Sequence, residues 1–263
     1  MKNKKDNFKN HTLFKALKKW LSEMQENVNE IGQETALAKE LLFYIPIGTA
    51  LIFFYFTNNL SYMYHSFGNY GFEENFLTQI VPLVKAFQHG DLSGARLGIA
   101  GPLYPVILAA YNTLFGGDIL KGALFINVLS GTAALLLFFF FLKRLAGSPT
   151  ALISIVLLAV NPLFFEFTYT ASSAPLLLFY TLAASLLFLR AFENGKGAVS
   201  LALAALFSTL AVLTNISTII LPIFGLALLI RTARYRQAAV FTAALLLFLI
   251  PAAIFISAVT PRL

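Results

Sequence analysis

Residues 101–117 read Gly101-Pro102-Leu103-Tyr104-Pro105-Val106-Ile107-Leu108-Ala109-Ala110-Tyr111-Asn112-Thr113-Leu114-Phe115-Gly116-Gly117. The run is apolar enough to look like a membrane span. It is also short, since a spanning helix needs roughly 20 apolar residues, and it opens on Gly-Pro with a second proline at Pro105. Whether this run crosses decides the sidedness of every segment after it.

The rest of the chain is plainly membrane-embedded. Of its 263 residues 58% are hydrophobic and 12% charged, with 27 Phe and a mean hydropathy of +0.76. A soluble domain carries about 25% charged residues. Apolar runs fall at 38–57, 101–116, 120–142, 150–167, 174–190, 197–213, 216–231 and 238–258. The absence of Cys excludes disulfides and thiolate metal sites. The net charge of +7 does not point to nucleic acid, because most Lys and Arg lie in short segments flanking apolar runs, the pattern of topogenic charge.

Charge parity settles the count at this stage. Residues 1–39 hold eight Lys, and Lys143-Arg144, Arg190 with Lys196, and Arg231, Arg234 and Arg236 mark three later breaks. The positive-inside rule puts all four regions in the cytoplasm. If 101–116 and 120–142 both crossed, every later basic break would fall outside. If 101–116 lies in the outer interface instead, 15 of the 19 Lys and Arg are inside, and only Lys85, Arg96, Lys121 and Arg262 are outside. The competing count has 101–116 crossing and a later short run such as 216–231 failing to cross. The expected fold is an all-α polytopic membrane protein. It has seven transmembrane helices, the N-terminus inside, two external juxtamembrane helices and an N-terminal amphipathic helix.

Two segments frame that core. Residues 1–37 form a basic cytoplasmic segment, in which Leu13, Leu17, Trp20, Leu21, Met24, Val28 and Ile31 recur at helical spacing. A basic helix with one Trp suits the headgroup layer as an orientation signal and surface anchor. The transmembrane module then occupies 38–263, with a first external loop at 58–119. Within it Phe72, Phe76, Ile80, Leu83, Val84 and Phe87 make a helical stripe, so 73–88 reads as a helix with a kink at Pro82. Glu73 and Glu74 open that helix. They complement its dipole, and a carboxylate held there can also serve as a general base.

The order of parts is the informative signal. One span leads to an external loop with an acidic residue opening a helix and Gly90-Asp91 near its end. Then come Gly-Pro-Leu-Tyr-Pro, Leu-Phe-Gly, a span ending Leu-Lys-Arg-Leu-Ala-Gly, and Asn161-Pro162-Leu163-Phe164. Over residues 40–258 this resembles the N-terminal module of the polytopic GT-C glycosyltransferases, which include the protein mannosyltransferases and aminoarabinose transferases. The resemblance implies transfer of a sugar from a polyprenyl phosphate to an acceptor at the outer face of the plasma (inner) membrane. It implies Glu74 as base with Glu73 as the neighbour able to replace it, and Arg96, Lys85, Tyr104 and Glu166 as residues for the lipid phosphate or sugar. No cofactor follows from it. A divalent cation is compatible with Glu73, Glu74 and Asp91 in one loop, but a hard-ion site needs several convergent oxygens.

The chain departs from that family's pattern in three places. Where many members carry an acid at the second external turn, it reads Thr170-Ala171-Ser172-Ser173-Ala174-Pro175. Where many carry a base after Leu-Thr in the third turn, it reads Leu213-Thr214-Asn215-Ile216-Ser217-Thr218. Family members usually continue for several more spans, so this chain reads as a fragment, a truncated frame or a minimal half that would take a partner subunit. The alternative function is therefore an inactive GT-C-like scaffold or binding subunit. A transporter fragment ranks last, because transporters place polar groups near the membrane midplane and these runs hold almost none.

Overall fold

A computed structural model describes residues 36–64, 74–90, 101–194 and 197–259. The amphipathic pattern at 12–31, Glu73 and Arg96 lie outside the described residues. Every element among the described residues is a helix, and no strand is among them. The helices are α1 (Ala36–Asn59), α2 (Val81–His89), α3 (Leu103–Phe115), α4 (Ile119–Ala146), α5 (Ser148–Ala159), α6 (Pro162–Tyr169), α7 (Ala174–Asn194), α8 (Ala198–Thr214), α9 (Ile220–Arg231) and α10 (Tyr235–Val259). Single π-helical turns at Leu60–Tyr64 and Phe76–Ile80 extend α1 and precede α2, and a 3-10 turn at Ile216–Ile219 precedes α9.

Among the described residues, three helical stretches are long and apolar enough to cross a membrane: 119–146, 174–192 and 235–254. The pair α5 and α6 makes a fourth if it counts as one span bent by 59°. α3, α8 and the 216–231 stretch are shorter apolar helices. Large apolar side chains such as Phe43, Leu51, Ile52, Ile153, Leu157, Phe224 and Leu247 face outward, as a surface in contact with lipid requires. Alanines fill the tight crossings inside. Ala191, Ala204, Ala205 and Ala238 join Leu201, Leu229 and Phe241 in one buried cluster, because small side chains let membrane helices approach closely.

The bend between α5 and α6 differs from the unbroken 150–167 run expected from hydropathy. Its cause is local. Pro162 lacks an N–H and disfavours helical geometry at the residue before it. Asn161 accordingly adopts extended backbone, and its side chain caps the new helix by accepting from the Phe164 N–H at 3.0 Å. The helix expected at 73–88 also changes type. Its first turn is π-helical, and Pro82 sits in the opening turn of α2.

α4 gives the bundle its axis. Asp118 caps it by accepting from the Leu120 N–H, and Lys143 and Arg144 occupy its last turn, where positive charge suits the helix dipole. Asn127, eight residues in, bonds to the turn that joins α6 to α7. Lys143 lies about 24 Å further along at 1.5 Å per residue. The basic turns gather near that far end. Arg234 donates to the Phe192 carbonyl at 3.0 Å and stands 4.4 Å over the Phe192 ring.

α3 does not run the length of this axis. At its start, the Gly101 N–H donates to the Thr214 carbonyl at 3.0 Å. A Cβ at Gly101 would lie 2.0 Å from the Leu213 carbonyl oxygen, so only glycine permits the approach. Near its end, Tyr111 packs on Phe125, and a Cβ at Gly122 would come within 2.6 Å of the Tyr111 ring. Both ends of α3 therefore rest against the same end of the bundle, the end away from the basic turns.

Candidate functional site

A hollow of about 200 Å³ opens at that end, lined by Asn75, Phe76, Gln79, Ile80, Ala171, Ser172, Ser173, Ala174, Leu177 and Asn215. Three chain segments far apart in sequence meet there. They are the π-helical turn before α2, the turn between α6 and α7, and the residue that follows α8.

Each wall is held by its own hydrogen bonds. Asn215 leaves helical geometry after α8, and its Oδ1 accepts from the Ser217 N–H at 3.0 Å and the Ser217 hydroxyl at 2.7 Å. The backbone donor fixes the orientation of the side-chain amide. The 170–173 turn is tied from below. Buried Asn127 donates through Nδ2 to the Thr170 carbonyl at 2.5 Å, and its Oδ1 accepts from the Tyr104 hydroxyl at 3.1 Å. The Thr170 hydroxyl donates to the Glu166 carbonyl at 2.8 Å. Tyr104 is 1% exposed, and burial pushes its phenol well above the ordinary 10. At the edge of this end Tyr62 is also pushed up, by burial and then by neighbouring Tyr111. Phe76, Ile80, Tyr104, Leu108, Ala171, Leu176 and Ala211 pack as one apolar cluster under the hollow.

The expected site residues fall in different places. Glu74 is exposed and directly precedes Asn75 at the rim of the hollow, and its carbonyl accepts from the Thr78 hydroxyl at 2.7 Å. Lys85 is exposed on α2, away from the lining. Tyr104 directs its hydroxyl to Asn127 rather than into the hollow. Glu166 is half-buried on α6 and is not part of the lining. Among the described residues no group of three or more His, Asp or Glu could hold a metal ion. Sequence reasoning passed over Asn75, Gln79 and Asn127. Asn127 had a usable signal: it is a lone amide inside the apolar run 120–142, and such residues usually bond to a neighbouring helix.

Chemically, the lining offers amide and hydroxyl groups with one apolar side. That suits a neutral polyhydroxylated ligand.

Residues 100–258, more than half of the 263-residue chain, match the family described as Dolichyl-phosphate-mannose-protein mannosyltransferase. The match includes α3 to α10 almost entirely, and with them the second and third walls of the hollow. No curated protein and no solved structure matches the chain.

Proposed function

The chain belongs to the dolichyl-phosphate-mannose-protein mannosyltransferase family of membrane glycosyltransferases, and on that footing we propose that it transfers a sugar from a polyprenyl-phosphate donor to an acceptor hydroxyl in the hollow described above. The observation that carries this reading is the meeting of three separate turns in one hollow, at the end of the bundle away from the basic turns. With the basic turns in the cytoplasm, the hollow faces the outer side of the plasma (inner) membrane. α1, α4, the α5–α6 pair, α7, α8, α9 with its 3-10 turn, and α10 are then seven spans, the N-terminus is inside, and α2 and α3 lie at the outer surface. The placement of both ends of α3 against one end of the bundle supports this count. Residues 1–37 form the cytoplasmic segment and 38–263 the transmembrane module.

In the proposed reaction the acceptor oxygen attacks the anomeric carbon. The bond from that carbon to the phosphate oxygen breaks, and the lipid phosphate leaves with the electron pair. The acceptor proton passes to the carboxylate of Glu74, or of Glu73 in its place. Asn75, Gln79 and Asn215 hold sugar hydroxyls, while Arg96 and Lys85 are the nearest cations in sequence to receive the phosphate. Tyr104 and Glu166 act at one remove, through the turn that Asn127 and Thr170 hold.

Sugar transfer from lipid-linked donors, measured in membranes, tests the reading. The wild type is active, and Glu74→Gln or Glu73→Gln loses about 10²–10⁴-fold, the usual contribution of a general base. Wild-type transfer untouched by both changes would remove the site assignment. A wild type with no transfer favours the second reading, a scaffold that kept the fold. One observation favours that alternative: the walls at Ser173, Ala174 and Asn215 are neutral, where many relatives carry charge. For sidedness, a single cysteine at Asn112 or Lys121 reacts with an impermeant reagent from outside. Reaction of Lys121→Cys only from the cytoplasm means that 101–116 crosses.

A further inference from the structure

A groove of about 350 Å³ runs between α1 and α4 at the end of the bundle away from the hollow. The two helices are antiparallel. Tyr62, just beyond α1, donates to the Lys121 carbonyl near the start of α4 at 3.4 Å, and the groove joins the early turns of α1 to the last turns of α4. Pro46 and Phe139 are buried in its floor, while Phe43 at 63% and Phe140 at 50% are exposed along its sides. It therefore opens onto the apolar surface that lipid covers. An apolar groove in that position does not hold water, and left empty its walls forfeit their dispersion contacts.

One end of this groove is polar. Ile47 and Leu136 lie at its inner end, and Leu42 and Lys143 at the end nearest the basic turns. Lys143 is exposed and has no hydrogen bond or ion pair among the described residues, whereas its neighbour Arg144 is engaged. Pro46 has no N–H, so the Leu42 carbonyl lacks the donor that an α-helix supplies four residues on. Residues four apart share a helix face, and Leu42 and Pro46 both line the groove. An ammonium and a carbonyl short of a donor thus stand together at the basic end of an apolar trough. That gradient of polarity matches an amphiphile whose chain points toward the bilayer interior, and the ammonium selects a negative head. We propose that the groove binds one anionic phospholipid with a hydroxyl-bearing headgroup, from the leaflet at the basic end. Its acyl chain lies along Phe43, Ile47 and Phe140, its phosphate pairs with Lys143, and a headgroup hydroxyl donates to the Leu42 carbonyl. Basic positions bordering a cleft between transmembrane helices are a recurrent arrangement for anionic headgroups.

The test uses the full chain in phosphatidylcholine vesicles containing a lipid spin-labelled deep in its acyl chain, and the motionally restricted fraction is read at low salt. The labelled lipids are phosphatidylglycerol, phosphatidylmethanol (anionic, without a headgroup hydroxyl) and phosphatidylcholine. The wild type prefers phosphatidylmethanol to phosphatidylcholine about fivefold, for one engaged lysine. It prefers phosphatidylglycerol to phosphatidylmethanol about two- to tenfold, for one hydrogen bond. Lys143→Gln removes the charge preference, and Lys121→Gln, a charge lost at the other end of α4, leaves it. Pro46→Ala restores the missing N–H and removes only the headgroup preference. Ile47→Trp fills the groove with every charge in place, lowers the number of restricted chains by one per protein and removes both preferences. Helical circular dichroism stays unchanged in all four variants. Equal association of the three lipids with the wild type overturns the proposal, and so does equal association of the two anionic ones. A charge preference that survives Lys143→Gln or Ile47→Trp belongs to the general positive surface and overturns it, as does a headgroup preference that survives Pro46→Ala. Displacement of the labelled lipid by equimolar polyprenyl phosphate would give the groove to the sugar donor and also overturns it.

Discussion

The two ends of the bundle are built from different materials. At the hollow, turns are neutral and are gathered by backbone and amide hydrogen bonds: Gly101 to Thr214, Asn127 to Thr170, Tyr104 to Asn127. At the basic end, turns carry Arg190, Arg231, Arg234 and Arg236, and a guanidinium holds the α7 end to the turn before α10. The first kind of junction is buried and tolerates little change in shape. The second is mostly exposed and weak, and its charge serves orientation more than cohesion.

That contrast is breakable by mutation. The largest loss of stability is expected at Gly101→Ala, where the new methyl group meets a backbone carbonyl that cannot move aside. Overpacking of this kind costs about 1–3 kcal/mol, and this position belongs at the upper limit. Thermal unfolding in detergent measures it. Next comes Asn127→Leu, which leaves the Tyr104 hydroxyl buried without its acceptor and the Thr170 carbonyl with only the Ser172 N–H, at about 1–3 kcal/mol. Tyr104→Phe removes one donor and costs less, about 0.5–1.5 kcal/mol.

Tyr104→Phe also has a pH signature. The phenol of Tyr104 is held protonated in the folded protein and ionises normally near 10 when unfolded. Its contribution is complete below pH 10 and declines as pH rises above that, because only the unfolded chain gains by losing the proton. The wild type should therefore lose stability more steeply than the variant in alkali, and equal slopes would contradict the burial. Smallest is Arg234→Gln at the basic end, about 0.5–1 kcal/mol for a half-buried cation over a ring. If it proves costlier than Asn127→Leu, the comparison between the two ends fails.

Much of this architecture was written in the charges. Basic breaks at Lys143-Arg144, Arg190 and Arg231–Arg236 recur only at alternate turns, and parity with the run's shortness and its prolines singles out 101–116; the structure rests both ends of α3 at one end of the bundle, and the proposed span count builds on that. Hydropathy could not reveal the break at Asn161, since Val160 and Pro162 leave the average unchanged while the missing proline N–H redirects the helix. Nor does it distinguish π-helical from α-helical turns at Leu60–Tyr64 and Phe76–Ile80, which depend on what each turn packs against. Of the hollow, the second and third walls were visible as turns, and their neutrality could be read directly. Their meeting with Asn75 and Gln79 could not, because it depends on contacts between residues more than 90 positions apart.

The bond from Gly101 to Thr214 sets a timetable for biosynthesis. At 5–20 residues per second, the 113 positions between its partners take on the order of ten seconds to translate. Until Asn215 has been made, the chain can insert helices but has only two of the three walls. The end that holds the hollow is thus closed only once α8 is complete, and a nascent chain stalled before that point would be membrane-integrated and helical yet without a finished hollow.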